Sequence, residues 1–125
     1  MADVNFKKFR KDLIEGSVAT INGTYKVTLM SSEASFTEDD ISISQSNYDA
    51  WGIASEPLET YVEEVNGKFV WKAKQVKLNG TFSGIRGALV HSELTNLVRY
   101  SDFGRNIDIT NDDFILNFND GILSI

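Results

Sequence analysis

The stretch Leu58-Glu59-Thr60-Tyr61-Val62-Glu63-Glu64-Val65-Asn66-Gly67-Lys68-Phe69-Val70-Trp71-Lys72-Ala73 decides the fold class. Asn-Gly readily takes the positive φ angles of a two-residue hairpin turn. The flanking runs are rich in Val, Tyr, Phe and Trp, so the stretch predicts a β-hairpin with strands Leu58–Val65 and Lys68–Ala73. Asn22-Gly23, Asn79-Gly80 and Asp120-Gly121 repeat the turn signal along the chain. Consecutive antiparallel strands are the expected architecture.

Working outward, Tyr25–Met30 reads as a strand with Tyr25, Val27 and Leu29 on one face. Gln75–Leu78 and Thr81–His91 predict a second hairpin around Asn79-Gly80, with one continuous strand over Lys72–Leu78 as the alternative. Gly84 and Gly87 predict a bulge or a close backbone approach. Leu94–Phe103 and Asn106–Thr110 read as two strands parted by Gly104-Arg105. Phe114, Leu116 and Phe118 alternate in the next strand, and Ile122–Ile125 closes a last hairpin through Asp120-Gly121. The terminal strand is therefore expected to be built into the sheet. About eight strands at regular spacing predict a mainly β, antiparallel β-sandwich or jelly roll over residues 24–125.

Three segments depart from that rhythm. Residues 3–15 predict an amphipathic helix, with Phe6, Phe9, Leu13 and Ile14 forming the apolar stripe. Asp3 is its expected N-cap and Gly16 its expected stop. Ser31–Ser46 is polar, carries the acidic run Glu38-Asp39-Asp40, and is expected to be an exposed loop with a short strand at Ile41–Ile43. Tyr48–Ile53 reads as a short strand or an aromatic-rich loop, and Pro57 as a boundary.

With 125 residues the chain is expected to form a single domain, 1–125. It contains no cysteine, which removes disulfides and thiolate metal sites and fits a reducing compartment. No run is long and apolar enough to span a bilayer, and the opening residues do not read as a secretory signal. The net charge of −6 argues against a nucleic-acid partner, which would require a basic surface. Charge is nonetheless uneven. Lys7, Lys8, Arg10 and Lys11 stand against Asp3 alone in the first eleven positions, and the remainder is acidic. Such a start reads as a solvated helix face, or as a basic arm that docks on an acidic neighbour.

Chemical motifs are sparse. His91 is the one histidine, so it can supply neither a multi-histidine metal site nor, without a nucleophile motif, a recognisable triad. Asp102, Asp108, Asp112, Asp113 and Asp120 lack the EF-hand spacing and serve as turn residues. Gly84-Ile85-Arg86-Gly87 lies in a β-rich, acidic context that does not suit a nucleic-acid clamp. Tyr48, Trp51, Tyr61 and Trp71 could present a sugar platform, but aromatics in a small domain more often fill the core. No catalytic residue, cofactor or metal is expected.

The order of features resembles a family of small virion structural proteins of tailed bacteriophages. The residues that carry the resemblance are Val4-Asn5-Phe6-Lys7-Lys8-Phe9 running into Asp12-Leu13-Ile14-Glu15-Gly16, Tyr25-Lys26-Val27-Thr28-Leu29, Tyr48-Asp49-Ala50-Trp51-Gly52, Gly87-Ala88-Leu89-Val90, Tyr100-Ser101-Asp102-Phe103-Gly104, and Phe114-Ile115-Leu116-Asn117-Phe118 with Gly121-Ile122-Leu123. The resemblance spans nearly the whole chain and rests on order and spacing. It implies an N-terminal helix before a β-sandwich, and a non-enzymatic capsid cement or decoration protein. Such a protein sits on the capsid surface as a dimer or trimer, contacts the major capsid protein, and is assembled in the host cytoplasm. Phe6, Lys7, Phe9, Arg10, Leu13, Tyr48 and Trp51 are the candidate interface residues. A tail, neck or fibre-attachment component is the first alternative. A carbohydrate-binding module using Tyr48 and Trp51 is the second.

Overall fold

The computed structural model describes residues 3–15, 24–118 and 122–124. The deciding hairpin forms as expected, with β4 (Thr60–Val65) and β5 (Lys68–Ala73) paired from Thr60↔Ala73 to Val65↔Lys68. Asn66 and Gly67 sit at φ 52° and 80°, the left-handed values of a type I′ turn. Leu58 ends the preceding strand instead. The turn signals Asn22-Gly23 and Asp120-Gly121, and Gly16, lie outside the described residues.

The other elements are β1 (Val4–Asn5), α1 (Lys7–Ile14), β2 (Tyr25–Ser31), α2 (Gln45–Trp51), β3 (Gly52–Leu58), β6 (Val76–His91), β7 (Leu97–Leu116) and β8 (Leu123–Ser124). Every recorded strand pairing is antiparallel. A five-stranded sheet runs β1-β7-β6-β2-β3, and a three-stranded sheet runs β4-β5-β8. The fold is mainly β and sandwich-like.

Both faces of the central sheet are covered, which explains why β2 is buried almost throughout. On one face, Val27, Leu29, Ala88, Val90 and Val98 join Trp71 and Ala73 of the small sheet. On the other, Met30, Leu89 and Tyr100 meet Phe6, Ala34, Phe36 and Ile43. Alternation along β2 therefore sorts side chains between two cores, not between core and water.

The segment 32–44, expected as an exposed loop, is the cover of that second face. Ala34, Phe36 and Ile43 are buried, and the Ile43 N–H donates to the Leu94 carbonyl at 2.8 Å. No strand forms at Ile41–Ile43. Of the segment Tyr48–Ile53, Tyr48–Trp51 belongs to α2, and Gly52 and Ile53 open the strand β3. Ser44 caps it by accepting from the Asn47 N–H at 3.1 Å, and Gln45 donates to Asp49 at 2.9 Å one turn on. Pro57 lies inside β3, which is tolerated because β3 is the sheet's edge.

Asn79-Gly80 makes no hairpin. Asn79 keeps a negative φ, and its side chain donates to Asp113 across the ladder at 2.7 Å, so β6 continues through the site with a register shift between Gly80 and Phe82. The strands expected over Leu94–Phe103, Asn106–Thr110 and 114–118 merge into one long strand, β7, which begins only at Leu97 and ends at Leu116. Gly104-Arg105 is a bulge within it, between the Ile85↔Ile107 and Gly87↔Asp102 pairs. The expected bulge at Gly84 is present, at φ 69°. Gly87 gives the expected close approach, because a Cβ there would strike the Tyr100 ring and the Ser101 carbonyl. Finally, β8 does not return along β7. It crosses to the small sheet and pairs with β5 through Trp71↔Leu123, while the Ile122 N–H donates to the Trp71 carbonyl.

Candidate functional site

The N-terminal residues expected at an interface are drawn into the protein's own interior. Asp3 does not cap a helix. It accepts from the Asp102 N–H and from Arg99, and β1 pairs with β7. The helix is thereby shortened to Lys7–Ile14. Phe6 is fully buried in the second core, edge-on to Phe36 at 5.7 Å. Phe9 is 1 % exposed in the first core and stacks on Trp71 at 5.4 Å. These two phenylalanines clamp opposite faces of the sheet, so neither is free to anchor a partner. Leu13 packs partly against the first core, and Arg10 remains exposed.

Lys7 shows where the basic start finds its acidic neighbour. Its ammonium lies 3.1 Å from Asp39 and 3.2 Å from Glu38, and its N–H donates to the Glu38 carbonyl at 2.9 Å. Hydrogen bonding to Asp39 first, then Glu38, raises the Lys7 pKa. The acidic run therefore receives the helix of its own chain and helps to hold the covering segment on the second core.

The remaining expected residues lie on α2. Trp51 packs edge-on against Phe36 at 5.7 Å, and the Tyr48 ring lies 5.5 Å from that of His91. Both are partly buried and belong to the second core's rim. They present no flat pair of exposed rings, which a sugar platform would use.

Tyr48 leads to the one buried polar centre of note. β2 places Thr28 opposite Leu89, and His91 lies two residues farther along β6 on the same face. Thr28 is 2 % exposed and His91 fully buried. The Thr28 hydroxyl is 2.8 Å from His91 Nε2 and 2.9 Å from the Tyr48 hydroxyl. With one proton and two lone pairs, the hydroxyl can satisfy both neighbours, the direction of each bond following the His91 tautomer. Burial, reinforced by the charge of Lys26 and opposed by the Glu93 backbone, lowers the His91 pKa to about 4. The imidazole is therefore neutral at pH 7. Its Nδ1 makes no hydrogen bond of good geometry. A nucleophilic triad needs an accessible hydroxyl, a base that can take a proton, and a group orienting that base. Thr28 is almost wholly buried, and the lowered pKa leaves His91 a weak base with no side-chain partner on Nδ1 to orient it. A groove of about 250 Å³ opens beside them between Thr28, Tyr48, Gly52 and Ser55.

No known protein family, curated protein or solved structure matches this chain. Its own geometry is thus the basis for a functional reading. Among the described residues, no group of three or more His, Asp or Glu side chains is placed to hold a metal ion. The aspartates of β7 are instead engaged in the ribbon. Asp108 accepts from Ser83 and the Gly84 N–H, Asp113 from Asn79, and Asp102 from Arg86. Asp120 lies outside the described residues.

The polar centre escaped sequence reasoning because Thr28 and His91 are 63 positions apart, and nothing local marks Thr28. Isolation of the one histidine at a strand end was the only available signal.

Proposed function

We propose that this chain is a non-enzymatic virion structural protein of the capsid cement or decoration class. The observation that carries the reading is a division of labour between interior and surface. The buried aromatic side chains are committed to packing, whereas Ile14, Ile41, Tyr61, Val62, Phe69 and Ile115 are exposed. Large apolar side chains kept on a surface suit a protein that binds other proteins. The resemblance in feature order supplies the kind of assembly. The partner in this reading is the major capsid protein, contacted by the exposed stretch of β7 around Ile115 and no longer by Phe6 and Phe9.

The test is copy number. Quantitative mass spectrometry of purified phage particles should find this chain at a ratio near that of the major capsid protein. A small ratio matching tail or portal symmetry would transfer it to the tail or neck. Absence from particles would overturn the virion reading.

A further inference from the structure

Four strands lie at the edges of the two sheets, and three of them are protected. β1 and β8 are two residues long, and β3 carries Pro57. Short length and proline are two of the usual defences against edge-to-edge pairing, and charge is a third, which β4 has only in part through Glu63 and Glu64. β4 has six residues, contains no proline, and among the described residues pairs with β5 alone. Among the described residues, its outer edge therefore has no ladder partner for its N–H and C=O groups.

Side chains around this edge point to an occupant. Val62 opposes Trp71, and Phe69 lies two residues from Trp71, so both turn toward the side that Trp71 and Ala73 bury. Yet Val62 is 45 % and Phe69 53 % exposed, with Tyr61 at 41 % on the opposite side. The hairpin carries its apolar inner face beyond the reach of its own domain.

We propose that a second copy of this chain completes this edge, with β4 pairing antiparallel to β4 of the other copy about a two-fold axis at Val62. A two-fold axis normal to the sheet keeps inner faces together, so residues on the same face must oppose one another. Among such registers, centring on Glu63 opposes two glutamates directly, and centring on Tyr61 sets Glu59 against Glu63. Centring on Val62 sets Val against Val, Tyr61 against Glu63, and Thr60 against Glu64. No glutamate then faces another, which removes the repulsion that directly opposed like charges cause. The two small sheets become one continuous sheet, and the exposed Val62 pair lies at its centre. The inference stands on the hairpin alone and is independent of the virion reading.

The chain has no cysteine, so Val62→Cys introduces its one thiol. At the two-fold axis the paired Cα atoms fall within about 4.4–6.8 Å, the range a disulfide spans. Mild oxidation of purified Val62→Cys should give a disulfide dimer on a non-reducing gel. Ile115→Cys, on an equally exposed strand residue of the other sheet, should stay monomeric. In sedimentation equilibrium the unmodified chain should self-associate, and Val62→Lys should weaken association by about tenfold or more with an unchanged circular dichroism spectrum. A monomeric unmodified chain, equal crosslinking of the two cysteine variants, or undiminished association of Val62→Lys would each overturn the proposal.

Discussion

Mild acid should destabilise this protein through one side chain. The chain has a single histidine, and it is fully buried. An imidazole in the unfolded chain titrates near about 6.5, whereas burial first and Lys26 second bring that of His91 to about 4. The folded value lies below the unfolded one. Between them the unfolded state binds the proton that the folded state refuses, so stability rises with pH. The contribution is complete above the unfolded value and is lost as pH falls toward the folded one. Over the full interval it amounts to about 3 kcal/mol, of which about 1 kcal/mol falls between pH 7 and pH 5.5. Carboxylates, with ordinary values near about 4, titrate little in that window. Urea unfolding followed by fluorescence of the buried Trp71 should show this loss in the unmodified chain and a flat profile in His91→Gln. The imidazole resonance read by NMR should titrate near about 4. A resonance titrating near 6.5, or stability that holds constant from pH 7 to pH 5.5, would refute the reasoning.

Packing around the central sheet should be equally sensitive to single substitutions. Phe9→Ala removes the ring stacked on Trp71 and should cost about 3–5 kcal/mol, with a red shift of tryptophan emission; loss of association without loss of stability would restore the helix as a docking arm. Gly87→Ala drives a methyl group into Tyr100 and the Ser101 carbonyl, and should lower stability by about 1–3 kcal/mol in urea unfolding, whereas a neutral effect would show that β6 and β7 can separate.

Local signals carried a good part of this structure. Asn66-Gly67 forms its hairpin because both residues can adopt positive φ and the flanks favour strand. Tyr25–Met30 is a strand, Gly84 is a bulge, and Gly87 meets a neighbouring ring, all as their residue types suggest. Asn79-Gly80 carried the same dipeptide and failed as a turn. There the ladder with β7 and the Asn79–Asp113 bond outweigh a local preference for turning. The polar stretch 32–44 failed for a related reason. A few apolar residues, Ala34, Phe36 and Ile43, outweigh the polar majority once an uncovered sheet face is available. The helix was legible from its stripe, but the destination of that stripe was not.

By itself, then, the sequence determined the antiparallel β class, the main hairpin and the existence of an N-terminal helix. These are properties of neighbouring residues, set by φ preference, alternation and composition. Only the tertiary structure decided that Phe6 and Phe9 are interior, that Lys7 meets Glu38 and Asp39 of its own chain, that Thr28 meets His91, and that β4 lies at the edge of the small sheet. Each depends on contacts between distant segments, where burial and pairing free energies exceed local preferences, and no short stretch of chain encodes them alone.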